Sequence, residues 1–432
     1  MKYSGRGAVA PLPLLFTLLF AAAFRVCRSD FPRIGRRAPA APPRGSVILP
    51  LSGNVYPLGY YSVSLNVGRP AKVYELDVDT GSDLTWLQCD APCTGCTKPR
   101  DQLYKPKNNL VHCEDPLCSA ISISGAEPCK NPDDQCDYEV EYADKGSSLG
   151  VLVYDYFAFQ LTNNTRLSPQ LTFGCSYNLD TPSPTAPPPT AGILGLGNGK
   201  ASIITQLYRL GMIRNVLGHC LSTKGGGFLF FGDDPIPSSN VLWVPMSPTL
   251  LAKHYASGPA ELLNRQKPGN VKGLQVIFDS GSSYSYFNSK AYGAILNQLT
   301  GDLNGKPLKN ATEEKSLPVC WKGTKPFNSV NDVKAQFKPL VLSFANNVEY
   351  KIPPEAYLIV TKGGNVCLGI LNGTEVGLAD FNIIGDISMQ NKMVIYDNER
   401  QQIGWVSADC SHLPNWASQA GEEADYPYHE DL

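Results

Sequence analysis

One short motif occurs twice in this chain, and its repetition constrains the fold more than any other feature of the sequence. Residues 75–86 read Glu-Leu-Asp-Val-Asp-Thr-Gly-Ser-Asp-Leu-Thr-Trp, a largely apolar strand that delivers one carboxylate to a glycine turn. Residues 275–283 repeat the pattern, with Val-Ile-Phe before the aspartate and Ser-Gly-Ser-Ser after it. Each copy is followed downstream by an apolar-apolar-Gly segment, at 191–197 and at 382–386. A single aspartate in a glycine turn usually only caps that turn, but paired copies with paired downstream segments indicate two related halves.

The aspartates of the two motifs, Asp79 and Asp279, are the candidates for chemistry. Two carboxylates held close together do not ionise independently, because their repulsion raises one pKa and lowers the other, and the pair then holds one proton over an acidic range. Such a pair can act as base and acid together, as hydrolysis by an activated water requires. Gly81 and Gly281 have no Cβ atom and would let the two loops approach each other closely.

Other catalytic schemes have little support in the sequence. The histidines stand in no motif with Ser or Cys, and we expect each to be structural or solvated: His112, His219, His254, His412 and His429. The glycines at 225–227, after Lys224, lack the spacing of a phosphate-binding loop and predict a hairpin turn.

From about residue 47 to residue 410 the sequence resembles the pepsin-like aspartic proteases. The features that carry the resemblance are the two Asp-hydroxyl-Gly loops and their downstream segments. The Asp-Thr-Gly-Ser-Asp sequence at 79–83, the cysteine-rich insertion after it, and Phe-Gly-Cys at 173–175 are similar to the plant branch that includes nucellin and nepenthesin, and most of all to the nucellin-like proteases. The resemblance implies an all-β, two-lobed fold with a few short helices and a cleft between the lobes.

The resemblance also implies roles for the motif residues. Asp79 and Asp279 would be the catalytic pair at the floor of the cleft. The six neighbours would support them, the hydroxyls of Thr80 and Ser280 by linking the loops and those of Ser82 and Ser282 by bonding the carboxyls. For Ser282, capping of a turn is the alternative. The supporting set is Thr80, Gly81, Ser82, Ser280, Gly281 and Ser282.

Residues 138–150 alternate and then turn, which predicts a β-hairpin. By position this hairpin matches the flap of the family, and Tyr142 matches the tyrosine that closes over substrate. Relatives usually read Tyr-Gly-Asp-Gly-Ser here, whereas this chain has Ala143 and Lys145. The alternative for Tyr142 is a strand tyrosine that packs on the core.

The chain has thirteen cysteines, of which Cys27 lies at the edge of the N-terminal apolar segment and twelve remain. An even number in a secreted chain indicates six disulfides, while the spacing of Cys89, Cys93 and Cys96, with His112 and Cys113 nearby, leaves a zinc site as the alternative. The pairing implied by the resemblance is Cys89–Cys93, Cys96–Cys175, Cys113–Cys136, Cys118–Cys129, Cys220–Cys410 and Cys320–Cys367.

The N-terminus predicts a secretory signal peptide over 1–28, since Lys2 and Arg6 precede an apolar run at 11–24. A membrane anchor is the alternative, but the run is shorter than the ~20 residues that a span needs. Residues 29–45 read as a linker or short propeptide, 46–240 and 241–412 as the two lobes, and 413–432 as an acidic disordered tail without the apolar stretch of a GPI signal.

Periodicity places several elements. Apolar residues at helical spacing predict helices over 202–213, ended by Gly211, and over 289–303. Alternation predicts two strands within 46–68 and one at 73–78, and later strands at 228–232, 242–245, 340–344, 350–352, 357–360, 394–397 and 404–406. Asn-x-Thr triplets at Asn163, Asn310 and Asn372 predict glycosylation of surface loops, with unmodified asparagines as the alternative.

Composition limits the choice of function. With 37 basic and 39 acidic residues in 432, the chain has no charge excess that would favour nucleic acid or an anionic membrane. The paired aspartate loops, the N-terminal apolar run and the resemblance to the pepsin-like proteases together predict a secreted or vacuolar, monomeric aspartic endopeptidase that acts on proteins or peptides at acidic pH and needs no metal or organic cofactor. The alternative is a binding protein similar to the xylanase inhibitors, which share this fold in plants but have damaged catalytic loops.

Overall fold

A computed structural model describes residues 45–121, 129–180, 190–247, 253–265, 267–378 and 381–413. The predicted signal peptide lies outside these residues, and so do the linker or propeptide and the acidic tail apart from residues 45 and 413. Among the described residues, no helix is both long and apolar enough to cross a membrane.

The described part of the chain is built mainly of strands, with three short α-helices. The strands are β1 Val47–Asn54, β2 Tyr60–Val67, β3 Lys72–Asp79, β4 Trp86–Gln88, β5 Asp137–Glu141, β6 Ser147–Gln160, β7 Arg166–Leu167, β8 Gln170–Asp180, β9 Gly192–Gly195, β10 Val216–Leu221, β11 Gly227–Phe231, β12 Leu242–Pro245, β13 Ala256–Asn264, β14 Lys267–Phe278, β15 Ser285–Phe287, β16 Lys309–Asn310, β17 Cys320–Lys322, β18 Leu340–Ser343, β19 Glu349–Ile352, β20 Leu358–Val360, β21 Val366–Leu368, β22 Ile370–Asn372, β23 Asn382–Ile384, β24 Lys392–Asp397 and β25 Gln402–Ser407. The helices are α1 Ile203–Arg209, α2 Ser289–Leu303 and α3 Asp386–Met389.

The strands form three sheets. A 14-stranded sheet holds β1 to β12 with β24 and β25, a 7-stranded sheet holds β13 to β15 with β18, β19, β22 and β23, and a 4-stranded sheet holds β16, β17, β20 and β21. Strands β24 and β25, from the end of the chain, therefore join the sheet of the first half, where β24 pairs with β10 and β25 with β12. The mainly-β fold class predicted from the sequence is confirmed.

The two repeated motifs occupy equivalent places in two different sheets. Strand β3 runs parallel to β9, with Asp79 beside Gly195. Strand β14 runs parallel to β23, with Phe278 beside Ile384. In each half the apolar-apolar-Gly segment thus lies next to the strand that carries the aspartate, which explains why both motifs recur together.

Both helices predicted from periodicity are present. Helix α2 begins and ends where the spacing predicts. Asn288 caps its N-terminus, since the side-chain oxygen of Asn288 accepts a hydrogen bond from the Ala291 amide at 3.0 Å. Every fourth residue along one face of the helix is buried: Ala291, Ile295 and Leu299. Helix α1 is shorter than the predicted range and is followed by Gly211 at φ 69°, a conformation that favours glycine.

All twelve cysteines under discussion are in disulfides, but part of the predicted pairing is wrong. The structure has Cys89–Cys175, Cys93–Cys96, Cys113–Cys129, Cys118–Cys136, Cys220–Cys410 and Cys320–Cys367. Only the last two agree with the pairing implied by the resemblance. A disulfide-bonded cysteine has no thiolate to offer a metal, so this arrangement does not favour the zinc alternative.

Strand pairing explains the first of these differences. Strand β4 runs parallel to β8 with Leu87 beside Cys175, and the Cys89 amide donates to the Ser176 carbonyl at 2.9 Å. The Cα atoms of Cys89 and Cys175 are consequently 5.4 Å apart, within reach of a disulfide. This leaves Cys93 to pair with Cys96, across a turn whose Cα–Cα distance is 5.8 Å.

The three glycosylation triplets lie in different surroundings. Asn163 and Asn310 are exposed. Asn372 is half-buried, and its side chain caps a short turn of helix by accepting a hydrogen bond from the Thr374 amide. Glycosylation of all three stays a prediction.

Candidate active site

The two motif aspartates have the same local environment. The Gly81 amide donates to Asp79 Oδ1 at 2.7 Å and the Ser82 hydroxyl donates to Asp79 Oδ2. In the second loop the Gly281 amide donates to Asp279 Oδ1 at 2.9 Å and the Ser282 hydroxyl to Asp279 Oδ2 at 2.8 Å. Each carboxyl is therefore fixed by one amide and one hydroxyl from its own loop.

Thr80 and Ser280 join the two loops through four hydrogen bonds. The Thr80 amide donates to the Ser280 hydroxyl at 3.1 Å, and the Ser280 amide donates to the Thr80 hydroxyl at 2.9 Å. Each hydroxyl in turn donates across to the other loop, that of Thr80 to the Phe278 carbonyl at 3.1 Å and that of Ser280 to the Val78 carbonyl at 2.9 Å. Both residues are buried, so this symmetrical link between the aspartate loops is shielded from solvent.

The glycines are required by the close approach of the loops. A Cβ atom on Gly81 would lie 2.5 Å from Asp279 Oδ1, and one on Gly281 would collide with Asp79 Oδ1. Each glycine therefore faces the carboxyl of the opposite loop. Any side chain at either position would push the two carboxyls apart.

Burial and repulsion together raise the pKa of Asp79. Its side chain is 6 % exposed, and desolvation is the main cause of the increase, followed by the negative charge of Asp279. The hydrogen bonds from Ser82 and Gly81 favour the ionised form and oppose the shift. The pair can consequently retain one shared proton at pH values where a solvated aspartate has lost it.

Tyr142 lies at the turn of the predicted hairpin, between β5 and β6. Its amide donates to the Gly146 carbonyl at 2.8 Å, and the turn is completed by Lys145 at φ 75°, where relatives usually have glycine. The Trp86 indole N–H donates to the Tyr142 hydroxyl at 2.6 Å. Burial and the nearby charge of Asp79 raise the pKa of this hydroxyl well above its ordinary value, so the hairpin brings Tyr142 close to the first aspartate.

Sequence reasoning did not assign a role to several residues around the pair. Trp86 stands in the first motif, but its contact with Tyr142 depends on the folded hairpin. Asp386 ends the second apolar-apolar-Gly segment and is 1 % exposed. Asp83, inside the first motif, is buried and forms an ion pair of 3.2 Å with Lys253.

Comparison with known sequences gives two matches to described families and several relatives. The chain matches the families described as "Xylanase inhibitor N-terminal" over residues 61–233 and "Xylanase inhibitor C-terminal" over residues 257–407. It is 44% identical over 391 residues to an aspartic proteinase of Oryza sativa subsp. indica, covering 87% of this chain and 94% of the relative. It is 29% identical to aspartic proteinase 36 of Arabidopsis thaliana, covering 85% and 78%, and 23% identical to nepenthesin-1 of Nepenthes gracilis, covering 82% and 78%.

Solved structures are similar in fold. Basic 7S globulin from soybean matches with a TM-score of 0.64 at 19% identity, covering 86% of this chain and 98% of that one. An aspartic proteinase from Irpex lacteus matches with a TM-score of 0.59 at 16% identity, covering 85% and 98%. At these identities the comparison establishes the two-lobed fold alone.

Proposed function

Since the chain belongs to the plant pepsin-like aspartic proteases, we propose that it is an endopeptidase that hydrolyses peptide bonds at acidic pH through Asp79 and Asp279. The observation that carries the proposal is the pairing of the two loops. Both Asp-hydroxyl-Gly loops are intact. Each carboxyl accepts hydrogen bonds from one amide and one hydroxyl of its own loop, and each lies against the glycine of the other loop. The 44% identity to an aspartic proteinase of rice supports the same reaction.

The chemistry follows from one proton shared between two carboxyls. The ionised carboxyl accepts a proton from a water molecule bound between them, while the protonated carboxyl donates its proton to the carbonyl oxygen of the scissile bond. The water oxygen bonds to the carbonyl carbon and gives a tetrahedral diol. The carboxyl that gained the water proton then donates it to the amide nitrogen as the C–N bond breaks, while the other carboxylate accepts a proton from a diol hydroxyl. The products are an acid and an amine, and the pair again holds one proton.

The fixed hydrogen bonds around the carboxyls make this exchange efficient. The Ser82 and Ser282 hydroxyls and the two glycine amides are already oriented before substrate binds, so little rearrangement accompanies the movement of charge. Tyr142, whose hydroxyl accepts a hydrogen bond from Trp86, would lie over the bound peptide when the hairpin closes. There it would exclude water and position the substrate.

Removal of either carboxyl tests the proposal. We expect Asp79→Asn and Asp279→Asn to fold and to lose essentially all peptidase activity, because neither remaining aspartate can act as both acid and base. The exposed Asp101→Asn is the matched control and should retain activity. Wild-type cleavage should be sensitive to pepstatin and should be lost as the pH rises through about 7, because the raised pKa of Asp79 lets the pair keep its shared proton up to that range. A single dyad variant with wild-type turnover would overturn the assignment.

A binding protein is the second candidate, because both matched families are described as xylanase inhibitor domains. The two complete aspartate loops favour the enzyme. A folded wild-type protein that cleaves no peptide mixture between about pH 3 and pH 7 would favour the binding protein instead.

Entry into the secretory pathway, with an extracellular or vacuolar destination, belongs to the same proposal. Six disulfides, including one that joins Cys220 to Cys410, support folding in an oxidising compartment.

We propose that the lobes comprise residues 46–240 and 241–412 and that the protein acts on protein or peptide substrates as a monomer. Fractionation of cells that express the tagged chain tests the destination.

A further inference from the structure

His254 lies beside the second aspartate. Strand β13 pairs with β14 so that Ala256 is opposite Ile277, and the Phe278 amide donates to the Tyr255 carbonyl at 2.9 Å. Continuing this antiparallel register by two residues from the Ala256–Ile277 pair places His254 opposite Asp279. On the other side, the Lys253 carbonyl accepts a hydrogen bond from the Asn198 amide at 2.8 Å, close to the end of the first apolar-apolar-Gly segment.

The imidazole of His254 has no hydrogen bond within the part of the chain that the structure describes. Its side chain is half-buried, and its Nδ1 atom is buried without a partner. The other described histidines differ, since each has one ring nitrogen in a hydrogen bond: His219 with the Tyr396 hydroxyl, His112 with the Asp133 carbonyl, and His412 with the Ser411 hydroxyl. Nδ1 is enclosed and out of reach of substrate, whereas Nε2 is not among the enclosed atoms and has no hydrogen-bond partner in the described residues, so Nε2 is able to bind a group that substrate brings.

Three charged groups act on this ring. Burial lowers the pKa of His254 below its ordinary value, the negative charges of Asp279 and Asp83 oppose that decrease, and the positive charge of Lys253 adds to it. Lys253 also forms an ion pair with Asp83 at 3.2 Å, so Asp83 already has a partner. One further negative charge beside the ring would therefore favour the protonated imidazolium form of His254.

We propose that His254 is a specificity-determining residue that donates a hydrogen bond to an acidic side chain of the peptide, next to the scissile bond on the side of Asp279. This inference rests on the proposed peptidase function and adds a substrate class to it. A carboxylate at Nε2 would form a charge-assisted hydrogen bond with the ring, which is roughly twice as strong as a neutral one. An amide of the same shape could accept only the neutral bond.

The proposal predicts a particular dependence on pH. A substrate carboxylate beside the ring favours the imidazolium, so the preference for a carboxylate should be greatest at a pH where the peptide acid is ionised and the ring can take up a proton. It should diminish as the pH rises and the ring stays neutral. The same change would not be expected from an apolar contact.

The test uses matched peptides that carry Glu or Gln at each of the two positions that flank the scissile bond. For the wild type we expect kcat/KM to be about tenfold higher for Glu than for Gln at one position, mainly through KM, and the ratio to decline as the pH rises and the ring loses its proton. In His254→Gln the ratio should fall to about one at every pH. The exposed His412→Gln is the matched control and should keep the wild-type ratio.

Because the readout is a ratio within one protein, a general loss of activity in the variant cancels. His254→Asn and a thermal unfolding scan exclude a folding defect as the cause. A wild-type ratio near one at all pH values, or a ratio that persists in both His254 variants, would overturn the proposal. Calorimetric binding of the same peptides with a reduced, uncleavable bond separates this outcome from failure of the peptidase proposal, since the Glu preference in binding should remain even if no peptide is hydrolysed.

Discussion

The indole N–H of Trp86 donates a hydrogen bond of 2.6 Å to the hydroxyl of Tyr142, and this bond connects the first aspartate loop to the hairpin above it. Trp86 begins β4, directly after the loop of Asp79, and is 7 % exposed. Tyr142 lies on the turn between β5 and β6 and is only half-buried. The buried indole thus fixes the position of a half-buried hydroxyl on the turn of the hairpin, which is the arrangement expected if Tyr142 closes over substrate as proposed.

Loss of this hydrogen bond should impair turnover more than stability. We expect Tyr142→Phe and Trp86→Phe each to lower kcat/KM about fivefold, in line with ~1 kcal/mol for one hydrogen bond, and the double variant to be no worse than either single one. Tyr142→Ala should lower turnover further while the protein still folds. The measurements are steady-state kinetics and urea unfolding of each variant.

Tyr154→Phe is the matched control for this comparison of the single variants with the double variant. Tyr154 lies on β6 and is 39% exposed, so its change should be additive with Trp86→Phe. A Tyr142→Ala protein that fails to fold would instead favour a core role, because truncation of a buried aromatic side chain costs about 3–5 kcal/mol.

Thr80 is a second position where the structure makes a sharp prediction. In Thr80→Val the Ser280 amide loses its acceptor and the Phe278 carbonyl its donor, in a site that excludes water. An unsatisfied buried polar group costs about 1–3 kcal/mol, so we expect a decrease of that size in the free energy of unfolding, together with reduced kcat. Thr80→Ser keeps the hydroxyl and should lose much less. Equal behaviour of the two variants in urea unfolding would show that the link between the loops is unimportant.

Local features of the sequence predicted the parts of the fold that depend on local physics. The aspartate loops could be located because strand, turn and glycine are contiguous in the sequence. Helix α2 could be located because its apolar residues recur at helical spacing. The same reasoning predicted the hairpin of Tyr142, whose strands alternate on both sides of a polar turn.

Features that depend on distant parts of the chain could not be predicted in this way. Seven cysteines fall between Cys89 and Cys136 without regular spacing, and only the parallel pairing of β4 with β8 brings Cys89 to Cys175. The return of β24 and β25 to the first sheet is likewise a long-range pairing. Neither the burial of Asp386 nor the unpartnered ring of His254 has a signature in the residues around it.

The disulfide arrangement can be checked by stability as well as by mapping. Peptide mapping without reduction should recover Cys89 with Cys175 and Cys93 with Cys96. By loop entropy, loss of Cys320–Cys367, with a sequence separation of 47, should lower the free energy of unfolding by about 4 kcal/mol. Loss of Cys93–Cys96, with a separation of 3, should lower it by only about 2 kcal/mol. Recovery of a Cys89–Cys93 peptide would contradict the structure.

Asp386 should make the folded protein less stable as the pH rises. Neither of its carboxyl oxygens has a hydrogen-bond partner among the described residues. Burial, and then the charges of Asp279, Asp79 and Asp77, raise its pKa well above the ordinary value. Burial likewise raises the pKa of Asp77 to about 7. Both groups are neutral in either state below about pH 3.9, but above it the unfolded chain gains by ionising while the folded one keeps the proton.

The free energy of unfolding should therefore fall from about pH 4 toward pH 7, and Asp386 should contribute up to ~1.4 kcal/mol for each pH unit until its folded-state pKa is reached. Urea unfolding at a series of pH values measures this slope. Asp386→Asn, which cannot ionise, should have a distinctly shallower slope, whereas the exposed Asp101→Asn should parallel the wild type. If Asp386→Asn and the wild type lost stability in parallel, ionisation of Asp386 would not be the cause of the loss at higher pH. The slope would then have to come from other buried acids, such as Asp77 and the Asp79–Asp279 pair.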